Sequence, residues 1–283
     1  MDGLFSGLMT LLIFILGASV GSFLNVVIYR IPAGLSLLHP PSRCPHCLHR
    51  LQPHDNVPVL GWLWLKGRCR YCRTAIAPRY PMVEATTGIL FVLVFWSFAQ
   101  ASGLALTTGS LLQTVSSWAF VSWLLALALI DLDTLTLPNS LTQSGLVVGL
   151  VFQALLGWAT GADWVGVAHS LMTGILGAVV GIWVFDLITI LGSVAFGQTA
   201  MGGGDAKLAA MMGAWLGWKL LLLAGFLACA IGAFAGGGAI AVGLLNRRQP
   251  MPFGPFLALG AIVSAFLGEK ILSIYVQLFF PTL

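Results

Sequence analysis

The sequence predicts an all-α protein that crosses a membrane about eight times. Hydrophobic residues make up 58% of the 283 residues and charged residues only 8%, whereas soluble domains carry about 25% charged residues. Apolar runs close to the roughly 20 residues that span a bilayer recur along the chain. One polar segment, residues 32–81, interrupts them and holds four of the five histidines and four of the five cysteines. We therefore expect a polytopic membrane protein with one small extramembrane module.

The eight spans follow from the order of the apolar runs. The first run ends at Arg30 and is expected to be retained, because its N-terminus lacks the basic residues that open a signal peptide. The run at 205–217 is short and is followed by Lys219, so a half-span or a re-entrant segment is an alternative there. The predicted spans are residues 5–28, 82–101, 110–130, 140–158, 164–192, 205–217, 219–244 and 254–279.

The predicted organisation has three parts. Residues 1–30 form the first transmembrane helix, and residues 31–81 form a cytoplasmic module that contains the paired cysteines. Residues 82–283 form a domain of seven further membrane helices. This division predicts that the polar module and the membrane domain carry separate functions.

Positive charge sets the expected orientation in the membrane. Seven of the thirteen Lys and Arg residues lie between Arg43 and Arg79, and loops rich in these residues stay in the cytoplasm. Counting spans forward assigns Arg247 and Arg248 to the same side, and this agreement supports eight spans. We interpret the basic loop as an orientation marker, and we expect a lipid bilayer and no nucleic acid as its partner.

Two acids are expected at one face of the membrane. Asp131 ends the third predicted span and Asp205 begins the sixth, and the span count places both at the cytoplasmic face. Ionisable residues in membrane segments usually face the protein interior and carry function. Gly202 and Gly204, just before Asp205, permit close approach of the backbone to a substrate. Two close carboxylates that share one proton can activate water and protonate a carbonyl group, so the sequence predicts an aspartyl-protease dyad.

Other roles for the polar residues near this pair are open from the sequence. Asp131 and Asp133 could cap a loop, and Asp186 could be a polar contact between helices. Lys207 could tune the acidity of Asp205 or anchor the helix at the membrane interface, and we favour the anchor. A transporter that relays protons through Asp131, Asp186 and Asp205 is an alternative function, although transporter sites lie near mid-membrane.

The polar module carries a pattern of cysteines typical of a structural zinc site. The pairs Cys44/Cys47 and Cys69/Cys72 are each Cys-x-x-Cys, and 21 residues separate them. Four thiolates at such spacing bind Zn²⁺ as a closed tetrahedron, and disulfides are disfavoured in the cytoplasm. A redox pair or free thiols are the alternatives. Because the loop has few aliphatic residues, metal binding would supply folding energy.

A series of short motifs occurs in the same order as in a known family. They are residues 21–30 (GSFLNVVIYR), the two cysteine pairs, 56–58 (NVP), 79–84 (RYPMVE), 131–133 (DLD) before Pro138, 202–205 (GGGD) and 252–256 (PFGPF). In these features the chain resembles the bacterial type IV prepilin peptidases, which are leader peptidases and N-methyltransferases. The resemblance covers essentially the full length. A presenilin-like protease shares the Gly-x-Gly-Asp motif but not the order of the other motifs.

The resemblance implies a catalytic pair, a substrate and a location. The first catalytic acid of the family stands seven residues before a proline, which selects Asp131 over Asp133, and the second is Asp205. The implied substrates are prepilins and pseudopilins, whose short basic leader ends in glycine before a hydrophobic helix. The implied location is the bacterial inner membrane, with cleavage at its cytoplasmic face.

The resemblance also implies a second activity, transfer of a methyl group from S-adenosylmethionine to the new N-terminal amine. The family places it with the N-terminal module, and the sequence lacks the Gly-x-Gly-x-x-Gly motif of a Rossmann fold. Asn56, Arg79 and Glu84 are the candidate cofactor-binding residues. A turn beside Pro58 is the alternative role for Asn56, and an interfacial anchor is the alternative for Arg79.

Overall fold

The regular secondary structure of the described residues is helical. The computed structural model describes residues 2–101, 107–159, 164–197, 201–244, 246 and 251–280. In these ranges β-pairing is limited to two isolated bridges, Arg43 with Arg50 and Arg68 with Ala75. The predicted all-α class is confirmed. The helices are α1 (Asp2–Arg30), a 3₁₀ helix (Pro53–Asn56), α2 (Leu60–Trp64), α3 (Arg79–Ala101), α4 (Thr108–Thr134), α5 (Asn139–Ala159), α6 (Trp164–Phe196), α7 (Gly203–Ala241) and α8 (Gly254–Phe279).

Seven of the described helices, α1 and α3 to α8, are long and apolar enough to cross a membrane. Six of them match single predicted spans, with ends that differ by a few residues. The predicted spans 205–217 and 219–244 are joined in α7, which has 39 residues. A straight helix of that length would measure about 58 Å, far more than the ~30 Å hydrocarbon thickness of a bilayer.

The backbone of α7 breaks at Gly217, where φ is 73° and ψ is 170°. Before the break α7 runs antiparallel to α6, because Ala209 packs at Gly181 and Gly213 packs at Gly177. Beyond the break its direction reverses, because Gly225 packs against Phe185, further along α6. Helix α7 therefore consists of two antiparallel segments that meet where the two predicted spans meet. The first segment is only about 20 Å long at 1.5 Å per residue, as the half-span alternative implied.

The first compact unit comprises the residues up to Ser110 together with Ser117–Ser122. Its two long helices pack through small residues, since a Cβ at Gly17 would lie 2.8 Å from the Cα of Gly88. Such glycines allow helix backbones to approach closely in lipid. Helix α3, which the three-part prediction assigned to the peptidase domain, lies in this unit with the cysteine module. The functional division itself stays a prediction.

The second compact unit comprises Leu111–Ser116 and Trp123–Leu283. The first segment of α7 is at its core, since Leu208, Met211 and Met212 have no exposed surface. On α4, Leu127 and Ile130 are equally buried. Asp131 and Asp205 therefore each lie close in the sequence to completely buried residues.

Candidate active site

Asp131 lies in the last turns of α4 and is only 5% exposed. Its Oδ2 accepts a buried hydrogen bond of 2.8 Å from the backbone N–H of Gly254, 123 residues further along the chain. Gly254 is the first residue of α8, where backbone N–H groups lack partners within the helix. The start of α8 therefore holds the Asp131 carboxylate in place.

Asp205 is the third residue of α7 and is 7% exposed. Its Oδ2 accepts a hydrogen bond of 3.2 Å from the backbone N–H of Gly202, so the side chain folds back over the start of its own helix. A carboxylate is favoured there by the positive end of the helix dipole. The charge of Asp131 also acts on the Asp205 carboxyl group. The two predicted acids are thus close enough for their charges to interact.

The glycines before Asp205 have different roles. A Cβ at Gly204 would lie 3.0 Å from the Cβ of Leu137, which belongs to the connection between α4 and α5. The missing side chain lets the start of α7 pack against the segment that follows Asp131. At Gly202 a Cβ would have only ordinary contacts, at 3.7 Å from the Asp205 carboxylate. Gly202 contributes its backbone N–H to Asp205.

Lys207 is exposed and donates a 2.8 Å hydrogen bond to Oδ1 of Asn139, the first residue of α5. The contact ties the first turn of α7 to the start of α5. The described bond of Lys207 is therefore a link between helix ends, a role that neither sequence interpretation of this lysine contained.

The remaining described acids of the second unit differ from this pair. Asp133, Asp186 and Glu269 are exposed, whereas Asp131 and Asp205 are buried. Buried carboxylates are costly unless they are hydrogen-bonded, and both members of the pair accept backbone N–H groups. Two acids held in this way can share a proton, so one can activate a water molecule while the other donates to a carbonyl oxygen.

The four paired cysteines form a cluster in the first unit. The Sγ atoms of Cys44, Cys47, Cys69 and Cys72 all lie within 4.8 Å of one another. The Sγ atoms of Cys44 and Cys72 are 3.7 Å apart, and those of Cys47 and Cys69 are 3.9 Å apart. A tetrahedron with Zn–S bonds of about 2.3 Å has sulfur–sulfur separations of about 3.8 Å. Two of the sulfur–sulfur distances therefore match a four-thiolate metal site, and the cluster could hold a metal ion.

Both cysteine pairs are held by the same local turn. The N–H of Leu48 donates to the carbonyl of Cys44 at 2.9 Å, and the N–H of Arg73 donates to the carbonyl of Cys69 at 3.0 Å. Leu48 and Arg73 also share a left-handed backbone, with φ of 57° and 58°. The two cysteine pairs therefore share the same backbone turn.

An ion pair links the second cysteine pair to the 3₁₀ helix. Arg70, between Cys69 and Cys72, donates from Nε to both carboxylate oxygens of Asp55, at 2.9 and 3.1 Å, and also from its NH2 group. Asp55 is buried, and hydrogen bonding from Arg70 holds the pKa of this carboxyl below its usual range. The pair fixes Asp55 relative to the cysteine cluster.

Two of the three predicted cofactor-binding residues share a cavity. Asn56 and Glu84 line a cavity of about 660 Å³ in the first unit, together with residues from the end of α1 and from the polar loop. Small-molecule sites usually measure about 300–1,000 Å³. Arg79 starts α3 and is not among the lining residues. The structure therefore groups Asn56 with Glu84 and leaves Arg79 outside.

Two family models and several relatives match the chain over most of its length. Residues 15–98 match the Bacterial Peptidase A24 N-terminal domain, and residues 118–237 match the Type IV leader peptidase family. A prepilin leader peptidase/N-methyltransferase of Aeromonas hydrophila is 37% identical over 95% of this chain and 94% of its own length. Proteins of the same name from Stutzerimonas stutzeri and Myxococcus xanthus are 35% and 39% identical, over 93% and 78% of this chain and 92% and 60% of their own lengths.

The chain belongs to the prepilin leader peptidase/N-methyltransferase family. It is an enzyme with peptidase and N-methyltransferase activities, and not the transporter that the sequence left as an alternative. With its apolar helices, it is a multi-pass protein of the bacterial inner membrane. No solved structure matches the chain.

Sequence reasoning missed three contacts around these sites. Residues 252–256 form one of the family motifs, but Pro, Phe and Gly residues give no sign that the backbone N–H of Gly254 binds Asp131. Asp55 and Arg70 were not paired, although Arg70 stands inside a cysteine pair. Nothing in the sequence relates Asn139 to Lys207, because their bond joins residues 68 positions apart.

Proposed function

We propose that this enzyme removes the basic leader of prepilins and pseudopilins and then methylates the new N-terminal amine. Asp131 and Asp205 are the proposed catalytic pair, and S-adenosylmethionine is the proposed methyl donor. The observation that carries the peptidase proposal is the burial of two carboxylates, close enough for their charges to interact, at the ends of α4 and α7.

The pair would hydrolyse the peptide bond without a covalent intermediate. One carboxylate takes a proton from water, whose oxygen attacks the scissile carbonyl carbon, and the other carboxyl group gives its proton to the carbonyl oxygen. The amide nitrogen then takes the proton that the first carboxylate received from water, and the C–N bond breaks, which releases the leader carboxylate and a free amine. The hydrogen bonds from Gly254 and Gly202 orient the two acids for these transfers.

The location of the pair suits the proposed substrate. Both acids lie at the ends of membrane helices, and the basic loop 43–79 favours the cytoplasmic side for that end. The bond between a polar leader and a hydrophobic helix lies at the same membrane surface. A substrate helix in the bilayer would therefore present its cleavage site to the acids.

The first unit would serve methyl transfer. We propose Zn²⁺ as the metal of the cysteine cluster, because four thiolates at this spacing are its preferred set. Zinc would hold the two cysteine turns together and has no step in the chemistry. We propose the cavity that contains Asn56 and Glu84 as the site of methyl transfer, since its volume suits a cofactor of this size.

The test is processing of a synthetic prepilin by the purified protein in detergent, with mass spectrometry of the products. We expect Asp131→Asn and Asp205→Asn to lose cleavage, because an amide can neither take a proton from water nor supply the shared one. Asp133→Asn is the matched control, two residues away and exposed, and should cleave normally.

A second measurement separates the two activities. The Asp131→Asn protein, given a pre-cleaved pilin and S-adenosylmethionine, should still methylate the free amine. Normal cleavage by both Asp131→Asn and Asp205→Asn would disprove the assignment of the catalytic pair.

A further inference from the structure

The cavity of the first unit contains one acidic side chain that lacks a cationic partner. Its lining includes two carboxylates, Asp55 and Glu84. Asp55 is neutralised by Arg70. For Glu84, no cationic side chain of the described residues lies within ion-pair distance. Arg30 and Arg43 also line the cavity, but Arg30 donates to backbone carbonyls and neither arginine pairs with Glu84. Since an uncompensated carboxylate in a membrane helix is expensive, the position of Glu84 in a cavity suggests that the compensating charge comes from a ligand.

Glu84 is held firmly but keeps free capacity to bind. The side chain is 9% exposed, and Oε2 accepts a 2.7 Å hydrogen bond from the backbone N–H of Val59. The Ser22 side chain lies close enough to stabilise the carboxylate as well. A carboxylate can accept about four hydrogen bonds, so these two leave room for a donor from the cavity.

The segment from Asp55 to Val59 is fixed at both ends. Asp55 is bound to Arg70 beside the cysteine cluster, and Val59 is bound to Glu84 on α3. Val59 has φ of 62° and ψ of −52°, a conformation that β-branched residues rarely adopt. Strain of this kind persists only where the surroundings impose it, and it is common at ligand sites. The cavity wall that faces Glu84 is therefore preorganised.

The position of Glu84 favours one of the cations that the proposed methyl transfer would bring. Glu84 lies five residues after the start of α3 at Arg79, roughly 7–8 Å along the helix. A cleaved pilin carries its amine on the first residue of a hydrophobic helix, so a site for this amine is expected near the end of a membrane helix, where Glu84 lies. S-adenosylmethionine carries a sulfonium and an α-ammonium group, but it is water-soluble and would enter from the polar loop.

We propose that Glu84 binds the new N-terminal ammonium group of the cleaved substrate and takes its proton during methyl transfer. This inference rests on the methyltransferase activity proposed above. The ammonium first pairs with the carboxylate and gives one proton to it. The nitrogen lone pair then forms the N–CH₃ bond as the S–CH₃ bond of S-adenosylmethionine breaks, and its electron pair stays on sulfur in S-adenosylhomocysteine. Loss of one further proton to solvent gives the neutral methylated amine.

The first experiment uses the full-length Glu84→Gln protein in detergent. Glutamine keeps an oxygen acceptor for the Val59 N–H, so the local fold and the cleavage of a synthetic prepilin should be unchanged. We expect kcat/KM for methylation of a pre-cleaved pilin peptide to fall on the order of 10- to 100-fold, as when a hydrogen bond to a charged group is removed. Binding of S-adenosylmethionine, measured by calorimetry, should not change. Glu269→Gln, at an exposed position on α8, is the control.

A second experiment does not depend on the folding of any variant. A pre-cleaved peptide whose terminal amine is replaced by hydrogen is tested as an inhibitor of methylation by the unaltered enzyme. It should bind on the order of 10-fold more weakly than the same peptide with its amine, because the charge-assisted hydrogen bond is missing. With the Glu84→Gln protein the two peptides should bind equally.

Several results would overturn the proposal. Normal methylation by Glu84→Gln, or equal inhibition by both peptides with the unaltered enzyme, would exclude binding of the acceptor amine. Weakened binding of S-adenosylmethionine with an unchanged KM for the peptide would assign Glu84 to the donor. If the unaltered enzyme neither methylates the peptide nor binds S-adenosylmethionine, the proposed methyltransferase function itself fails, which is a distinguishable outcome.

Discussion

At the scale of single residues, Gly254 is the contact that most constrains the proposed catalytic pair. Its N–H binds Asp131, and a Cβ on it would lie 2.8 Å from Oδ2 and 3.1 Å from Cβ of Asp131. We expect Gly254→Ala to displace the Asp131 carboxylate and to lower the cleavage rate on the order of 10- to 100-fold, because small misplacements of catalytic groups are costly.

The measurement is the rate of prepilin cleavage, with methylation of a pre-cleaved peptide followed in parallel. Methylation should be retained, because Gly254 belongs to the second compact unit and the cavity to the first. Gly203→Ala is the matched control at the start of α7, since no atom lies within 4 Å of the added Cβ. Wild-type cleavage by Gly254→Ala would show that the bond to Asp131 is dispensable.

The sequence predicted the acidic pair but not the groups that hold it. Asp131 and Asp205 could be paired because each stands at the end of an apolar run, and the run count gives those ends a common side. The cluster of four cysteines could also be predicted, because metal ligands have a short fixed spacing. The Gly254 contact was hidden, because a backbone donor has no side-chain signature and its acceptor is 123 residues away.

At the scale of elements, the reversal in α7 determines how its first segment is buried. The run 205–217 is shorter than the roughly 20 residues of a complete span, which is why its type was uncertain from the sequence. The structure resolves it as a short segment that ends at Gly217 and packs on α6 through Gly177 and Gly181. Apolar composition alone could not distinguish one bent helix from two spans.

The break at Gly217 gives a testable energetic consequence. Its φ of 73° and ψ of 170° are essentially restricted to glycine, and a Cβ there would lie 2.9 Å from Cγ2 of Thr173. We expect Gly217→Ala to destabilise the protein by about 1–3 kcal/mol, seen as a lower thermal midpoint in detergent. Gly237→Ala, at a position of the same helix with open space, should have little effect.

The double variant separates the two causes. Adding Thr173→Ala to Gly217→Ala removes the clashing methyl group, so it should recover part of the lost stability and leave the backbone strain. A Gly217→Ala protein as stable as the unaltered one would show that the reversal does not depend on the glycine.

At the scale of the whole molecule, the two compact units separate the proposed activities. The cysteine cluster and the cavity belong to the first unit, and the two aspartates belong to the second. The three-part prediction from the sequence located the metal module, but it could not foresee that α3 packs on α1 with that module. Membrane helices are uniformly apolar, so their partners are set by the positions of small residues such as Gly17 and Gly88.

This separation predicts how metal removal should act. Arg70 stands between Cys69 and Cys72, and it holds Asp55 at the wall of the cavity. Loss of the metal would release both cysteine turns, because binding and folding are coupled in such sites. We therefore expect Cys69→Ser to lose bound zinc, measured by elemental analysis, together with most of its methylation activity, while cleavage falls much less.

Cys229→Ser is the control, because Cys229 lies outside the cluster. Equal loss of both activities in Cys69→Ser would mean that zinc supports the whole molecule, and zinc retained at the level of the unaltered enzyme would disprove the four-cysteine site.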